Sequence, residues 1–165
     1  MEYGCFQELE QLLVLNAPPG AFSGAALPTE VNAAEEALGV RFSPSYRWFL
    51  LTFGSADWPG YIFGVGHDVF DCFHVVNVTR SERCMDNPMP EALIPFAPDG
   101  GGNHYCIDTS TIEDKEAIVV LWMHDADPEH SMAKTHASFS AWLSEFVNEY
   151  QDMSQDDLSD YQTDL

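Results

Sequence analysis

Residues 93–108 read Leu93-Ile94-Pro95-Phe96-Ala97, then Pro98-Asp99-Gly100-Gly101-Gly102-Asn103, then His104-Tyr105-Cys106-Ile107-Asp108. Two short apolar runs flank a loop of the residues that punctuate structure most strongly. That pattern predicts strand, glycine loop, strand. Consecutive glycines reach positive φ without steric cost, and Asp99 and Asn103 can close the loop with side-chain to backbone hydrogen bonds. Pro95 has no N–H to give a sheet, so it belongs on an edge or at a bulge. A third apolar run, Ala117–Trp122, supplies another strand. The sheet is expected to be the floor on which the helices rest.

The helices are read from period and punctuation. Tyr3, Phe6, Leu9, Leu12 and Leu13 mark an amphipathic helix over 1–15, stopped by Asn16 and Pro18-Pro19-Gly20. After a connector over 17–27, Thr29 is the expected cap of a second helix with Glu30 in its first turn. Its face is Val31, Ala34 and Leu38, and Gly39 ends it. Ser43 then caps a third helix with Pro44 in the first turn and Tyr46, Phe49, Leu50 and Phe53 on one face. Tyr61-Ile62-Phe63 predicts a strand, and 70–83 is ambiguous: strand then helix is one reading, and periodicity alone does not decide. Asp125–Lys134 is expected to be a polar loop. Ser138 caps a last helix bearing Phe139, Trp142, Leu143, Phe146 and Tyr150. Helices mixed with a run of strands make the class α+β. Residues 1–150 are expected to form one domain, 1–27 being its N-terminal helix and connector. Residues 151–165 are expected to be an acidic, disordered tail.

Charge is the dominant global signal. The chain of 165 residues carries 27 acids against 6 Lys and Arg, a net charge of −21. The excess grows toward the C-terminus: residues 101–165 carry fourteen acids and two bases. Such a surface repels nucleic acid and anionic membrane and attracts cationic partners. No apolar run reaches the length of a membrane span, and no basic stretch followed by an apolar core opens the chain. The expected compartment is the cytoplasm. There Cys5, Cys72, Cys84 and Cys106, which form no C-x-x-C pair, should be free thiols, mostly buried.

The search for chemistry finds no constellation above background. His124-Asp125-Ala126-Asp127, His130 and His136 place metal-ligand types close in sequence, but they match neither H-E-x-x-H nor a calcium loop. They read as a solvated acidic loop, and no metal or cofactor is expected. The glycine loop at 99–103 lacks the Lys-Ser or Lys-Thr of a phosphate loop. His104 and Cys106 share a strand face by alternation, yet a strand cysteine is ordinarily core.

Several stretches together resemble the SUKH superfamily. They are Glu35, Leu38 and Gly39; Phe42, Pro44, Tyr46, Phe49 and Leu50; Phe53-Gly54; Ile94-Pro95-Phe96-Ala97; Asp99–Asn103; Tyr105-Cys106-Ile107-Asp108; Val120-Leu121-Trp122 with Asp125; and Phe139 with Trp142-Leu143. The likeness spans Pro28–Tyr150. It departs where Phe53 stands in place of a frequent Asn, and in the acidic tail. The resemblance implies a central, largely antiparallel sheet packed by helices and a non-enzymatic binding role. Bacterial members are commonly immunity proteins that neutralise polymorphic toxins, nucleases among them, by direct contact. A basic toxin suits the charge. The alternatives are a regulatory scaffold of the same superfamily, or a metal- or small-molecule-binding enzyme. Aromatics anchor interfaces and acids set encounter rate, so the expected contact residues are Asp57, Trp58, Tyr61, Asp68, Asp71, Asp99, Asp125 and Asp127.

Overall fold

The computed structural model describes residues 3–112 and 116–160, without the side chains of 3–5 and 154–160. Among the described residues there are five α-helices: α1 Tyr3–Asn16, α2 Pro28–Leu38, α3 Pro44–Phe53, α4 Val75–Arg83 and α5 Phe139–Asp160. Four strands, β1 Leu93–Pro98, β2 His104–Asp108, β3 Val119–Trp122 and β4 Met132–His136, form one sheet in the order β1-β2-β3-β4. All three pairings are antiparallel. This is the α+β arrangement of a sheet packed by helices.

Pro95 occupies both permitted positions at once. It lies on the edge strand β1, where the register slips between Pro95 and Ala97. The sheet buries both faces. Ile94, Phe96, Ile107 and Val119 join the main core with residues of all five helices. Leu93, Cys106, Val120 and Trp122 form a smaller cluster with Met89 on the other face.

Local signals hold with adjustments. α2 starts earlier than Thr29 implied: Pro28 opens the helix, and the Leu27 N–H donates to the Glu30 carboxylate at 2.8 Å. Ser43 and Pro44 do begin α3, but the Ser43 hydroxyl makes no capping bond. That task passes to Glu116, which accepts from the Ser45 N–H and from the Ser45 hydroxyl, each at 2.9 Å. A carboxylate on the positive end of the helix therefore ties α3 to the approach to β3. Ser138 caps α5 as expected, its Oγ accepting from the Ala141 N–H at 3.1 Å.

Several expectations are corrected. The polar loop at 125–134 gives way to β4 from Met132 onward, an exposed edge strand. With no buried face it needs no apolar alternation, so periodicity could not reveal it. Tyr61-Ile62-Phe63 makes only isolated bridges, Ile62 with Ala56 and the adjoining Gly64 with His74. Residues 70–83 resolve into a 3-10 turn at Asp71–Phe73 followed by α4. Of the cysteines, Cys106 is buried but Cys72 and Cys84 are exposed. α5 runs to Asp160, past the boundary drawn at Tyr150, and the remainder of the expected tail, 161–165, lies outside the described residues. Among the described residues no helix is long and apolar enough to cross a membrane.

Tyr46 is the hub of the core. It is fully buried and meets the rings of Phe42, Phe96 and Phe139 at centroid distances of 5.3, 6.1 and 5.1 Å. Its hydroxyl donates to the Phe63 carbonyl at 2.7 Å. Burial pushes the phenol far above its ordinary value, so it remains a donor. The Phe63 N–H donates in turn to the Phe96 carbonyl at 2.7 Å. The irregular segment before α4 is thus pinned to α3 on one side and β1 on the other. Next to it, Gly64 leaves no space for a side chain, because a Cβ there would overlap the Gly54 carbonyl.

Tyr46→Phe should lower stability by about 1–3 kcal/mol, since it strands the buried Phe63 carbonyl without a donor. Gly64→Ala should cost about 3 kcal/mol or more, because the clash is with backbone that cannot rotate away. Urea titrations of the two variants against the parent chain measure both.

Candidate functional site

The most exposed aromatic side chain among the described residues marks the site. Phe70 is 75% exposed, and it stands at the mouth of a groove of about 400 Å³. Two backbone segments bridge to form the floor. The Ser23 N–H donates to the Ser55 carbonyl at 3.2 Å, and the Asp57 N–H to the Ala21 carbonyl at 3.0 Å. Tyr61, Asp68 and Phe73 complete the wall. Tyr61 stacks on Phe73 at 4.5 Å and 18°, and Phe73 stacks in turn on Phe63 at 6.4 Å and 21°. The Tyr61 ring is therefore held by the pinned segment yet remains 48% exposed.

The groove gathers three of the expected contact residues: Asp57, Tyr61 and Asp68. No Lys or Arg lines it. Asp57 and Asp68 are exposed, and Asp68 is paired with the exposed His67 at 3.2 Å. Trp58 lies between groove residues in sequence but is buried, 9% exposed, against the edge of Tyr150 at 5.6 Å. Asp71 is exposed one turn away, beside Gly66, His74 and Asn77.

The other expected residues lie elsewhere. Asp99 sits in the β1–β2 loop, near Glu145 and Glu149 of α5. Its Oδ1 accepts from the Gly101 and Asn103 N–H groups at 2.7 and 2.9 Å, and its Oδ2 from Asn103 Nδ2 at 2.7 Å. Slight burial pushes the Asp99 carboxyl up. The Asn103 side chain, the two backbone donors and nearby His104 outweigh that and hold it below its usual range. This carboxylate is engaged in closing its own loop. The same loop turns tightly at Gly102, whose φ is +96° and where a Cβ would run into the His124 ring.

Asp125 borders a second groove of about 610 Å³ with Glu82, His104 and His124. His124 spans from Asn103 Oδ1 at 3.1 Å to Asp125 Oδ1 at 3.0 Å, and His104 faces Glu82 at 3.2 Å. Asp127 is exposed on the adjoining turn. Among the described residues no group of three or more His, Cys, Asp and Glu is placed to hold a metal ion. The Cys106 thiol is fully buried, and burial, with Glu82 and Asp108 nearby, pushes it well up. It donates to the His104 carbonyl at 3.5 Å, while the His104 ring is occupied with Glu82. A thiol so placed is not a nucleophile.

A model of the SMI1/KNR4 family (SUKH-1) matches residues 25–145. The chain belongs to this family. The matched span begins just after the groove's first segment and ends within the first third of α5, so it includes Asp57, Tyr61, Asp68 and Phe70. Within the SUKH-1 span, Phe53-Gly54 closes α3 and leads directly into the groove floor at Ser55–Asp57. Sequence reading of this SUKH-1 chain missed Phe70 and Phe73 as surface candidates. Their only signal was aromatic residues in a segment that follows neither the strand nor the helix period.

Asp99→Ala should lower stability at pH 7 by about 1 kcal/mol, the scale of a partly solvated hydrogen-bonded carboxylate. The folded pKa is depressed, so the contribution is present above the unfolded value of about 3.9 and lost as pH falls through the folded one. The gap between variant and parent should therefore shrink in urea titrations carried from pH 7 down to strong acid.

Proposed function

We propose that this SUKH-1 chain is an immunity protein, which neutralises a basic bacterial toxin by binding it directly and catalyses no reaction. The observation that carries the reading is the groove: exposed Phe70 and Tyr61 set among Asp57 and Asp68, with no cation in the lining. Aromatic anchors supply affinity and uncompensated acids supply encounter rate, the two things a tight inhibitor needs. A net charge of −21 extends the same field over the whole surface. Membership of a family that includes toxin-immunity proteins supports the reading further. A nuclease is basic where it grips nucleic acid, and an acidic inhibitor competes for that surface. The working compartment is the cytoplasm, and neither nucleic acid nor membrane is a partner.

The test is to search the genes adjoining the one for this chain for a toxin domain and to co-express the two proteins. Growth should be restored and the two proteins should co-purify. Continued killing with no complex rejects the proposal. In the complex, the association rate should fall about tenfold or more from low to high salt, because steering of opposite charges is screened.

A further inference from the structure

We propose that the groove receives an arginine side chain of the partner, its guanidinium laid on the open face of Tyr61 and its charge shared by Asp57 and Asp68. The inference rests on reading this groove as the partner-binding surface, and adds the chemistry of what enters it.

Three observations point to a planar cation. Tyr61 stacks on Phe73 at 4.5 Å, is 48% exposed and lines the groove, so only one of its faces is taken by that ring and part of the side chain meets solvent. The face of an aromatic ring is negative, and a guanidinium, flat and weakly hydrated, stacks there better than an ammonium does. Next, no donor among the described residues reaches the Asp57 carboxylate, and Asp68 has only an exposed histidine, so both carboxylates have acceptor capacity free. Finally, among the described residues no Lys or Arg lines the groove to compete. Phe70, 75% exposed at the mouth, is apolar surface that an apolar residue beside the arginine would cover. The volume of about 400 Å³ suits one long side chain and its neighbour rather than a helix.

The probe is the capped tetrapeptide Phe-Arg-Leu-Arg, titrated into the full ¹⁵N-labelled chain by NMR. Shifts should concentrate at Asp57, Tyr61, Asp68 and Phe70 and should saturate. Replacing both arginines by citrulline, which keeps the shape and removes the charge, should weaken binding about tenfold, the scale of a desolvated cation–π contact. Tyr61→Leu, which keeps apolar bulk at an exposed position, should weaken it several-fold, and so should Asp57→Asn with Asp68→Asn. Shifts spread over the acidic surface without saturation overturn the inference. Equal binding of the citrulline peptide does so too, as does undiminished binding by Tyr61→Leu. A toxin complex unaffected by these substitutions sinks the arginine site and leaves the immunity reading standing. Peptide binding in the absence of any toxin complex does the reverse.

Discussion

The peptide group of Phe63 is the point at which the molecule is locked. Its carbonyl receives the Tyr46 hydroxyl and its N–H reaches the Phe96 carbonyl, each at 2.7 Å. Both bonds lie where water does not compete, and an unmade bond there would cost the full desolvation of the group. The chain on either side of Phe63 has too few residues between glycines and prolines to form a strand of its own. It therefore takes its shape from α3 and β1. Everything that faces the groove follows: Tyr61 leans on Phe73, Phe73 on Phe63, and Phe63 is fixed by the core. A groove lined by loop residues is thereby tied to the aromatic interior.

Such anchoring suits recognition without catalysis. A surface ordered before contact loses little conformational freedom on binding, and affinity then depends on the quality of a few anchors rather than on area. The neighbouring groove around His104 and His124 is different in kind. Several of its polar groups are already paired with one another, His104 Nε2 to Glu82 and His124 to Asn103 and Asp125, while the buried His104 Nδ1 has no hydrogen-bond partner among the described residues. Paired groups have less to offer an incoming ligand than the open carboxylate of Asp57.

What the sequence disclosed depended on whether an element buries a face. The β1–β2 hairpin was plain in residues 93–108 because its apolar runs fill two cores and its loop is closed by Asp99. α3 and α5 were plain for the same reason, with Tyr46, Phe139 and Leu143 at helical spacing and fully buried. β4 buries no face, so Met132–His136 carried no pattern to read. The Ser43 signal named the correct helix start but the wrong capping group, since Glu116 lies far away in sequence and only the fold brings it to Ser45. Of the proposed contact residues, Asp57, Tyr61 and Asp68 converge while Asp99 and Asp125 do not. Convergence is a property of tertiary structure, and acids this abundant give no hint of which ones meet. Trp58, expected at the contact surface, is buried, and Phe70, not expected there, is exposed.

The buried carboxylate of Glu35 draws two of the chain's six cations to itself: Arg47 at 2.8 Å and Arg41 at 3.4 Å. Glu35 also accepts the Phe42 N–H at 2.9 Å, so one side chain joins α2 to the entry of α3. Arg47, 30% exposed, gives its charge mainly to this joint, while Arg41, 83% exposed, stays at the surface and is partly offset by Glu35. Folded copies must then repel one another, and each copy strains against its own field. Added electrolyte relaxes that self-repulsion, and it would loosen the hold on the cationic partner proposed above. Under that proposal, ionic strength pushes the endurance of the free molecule and the strength of its complex in opposite directions.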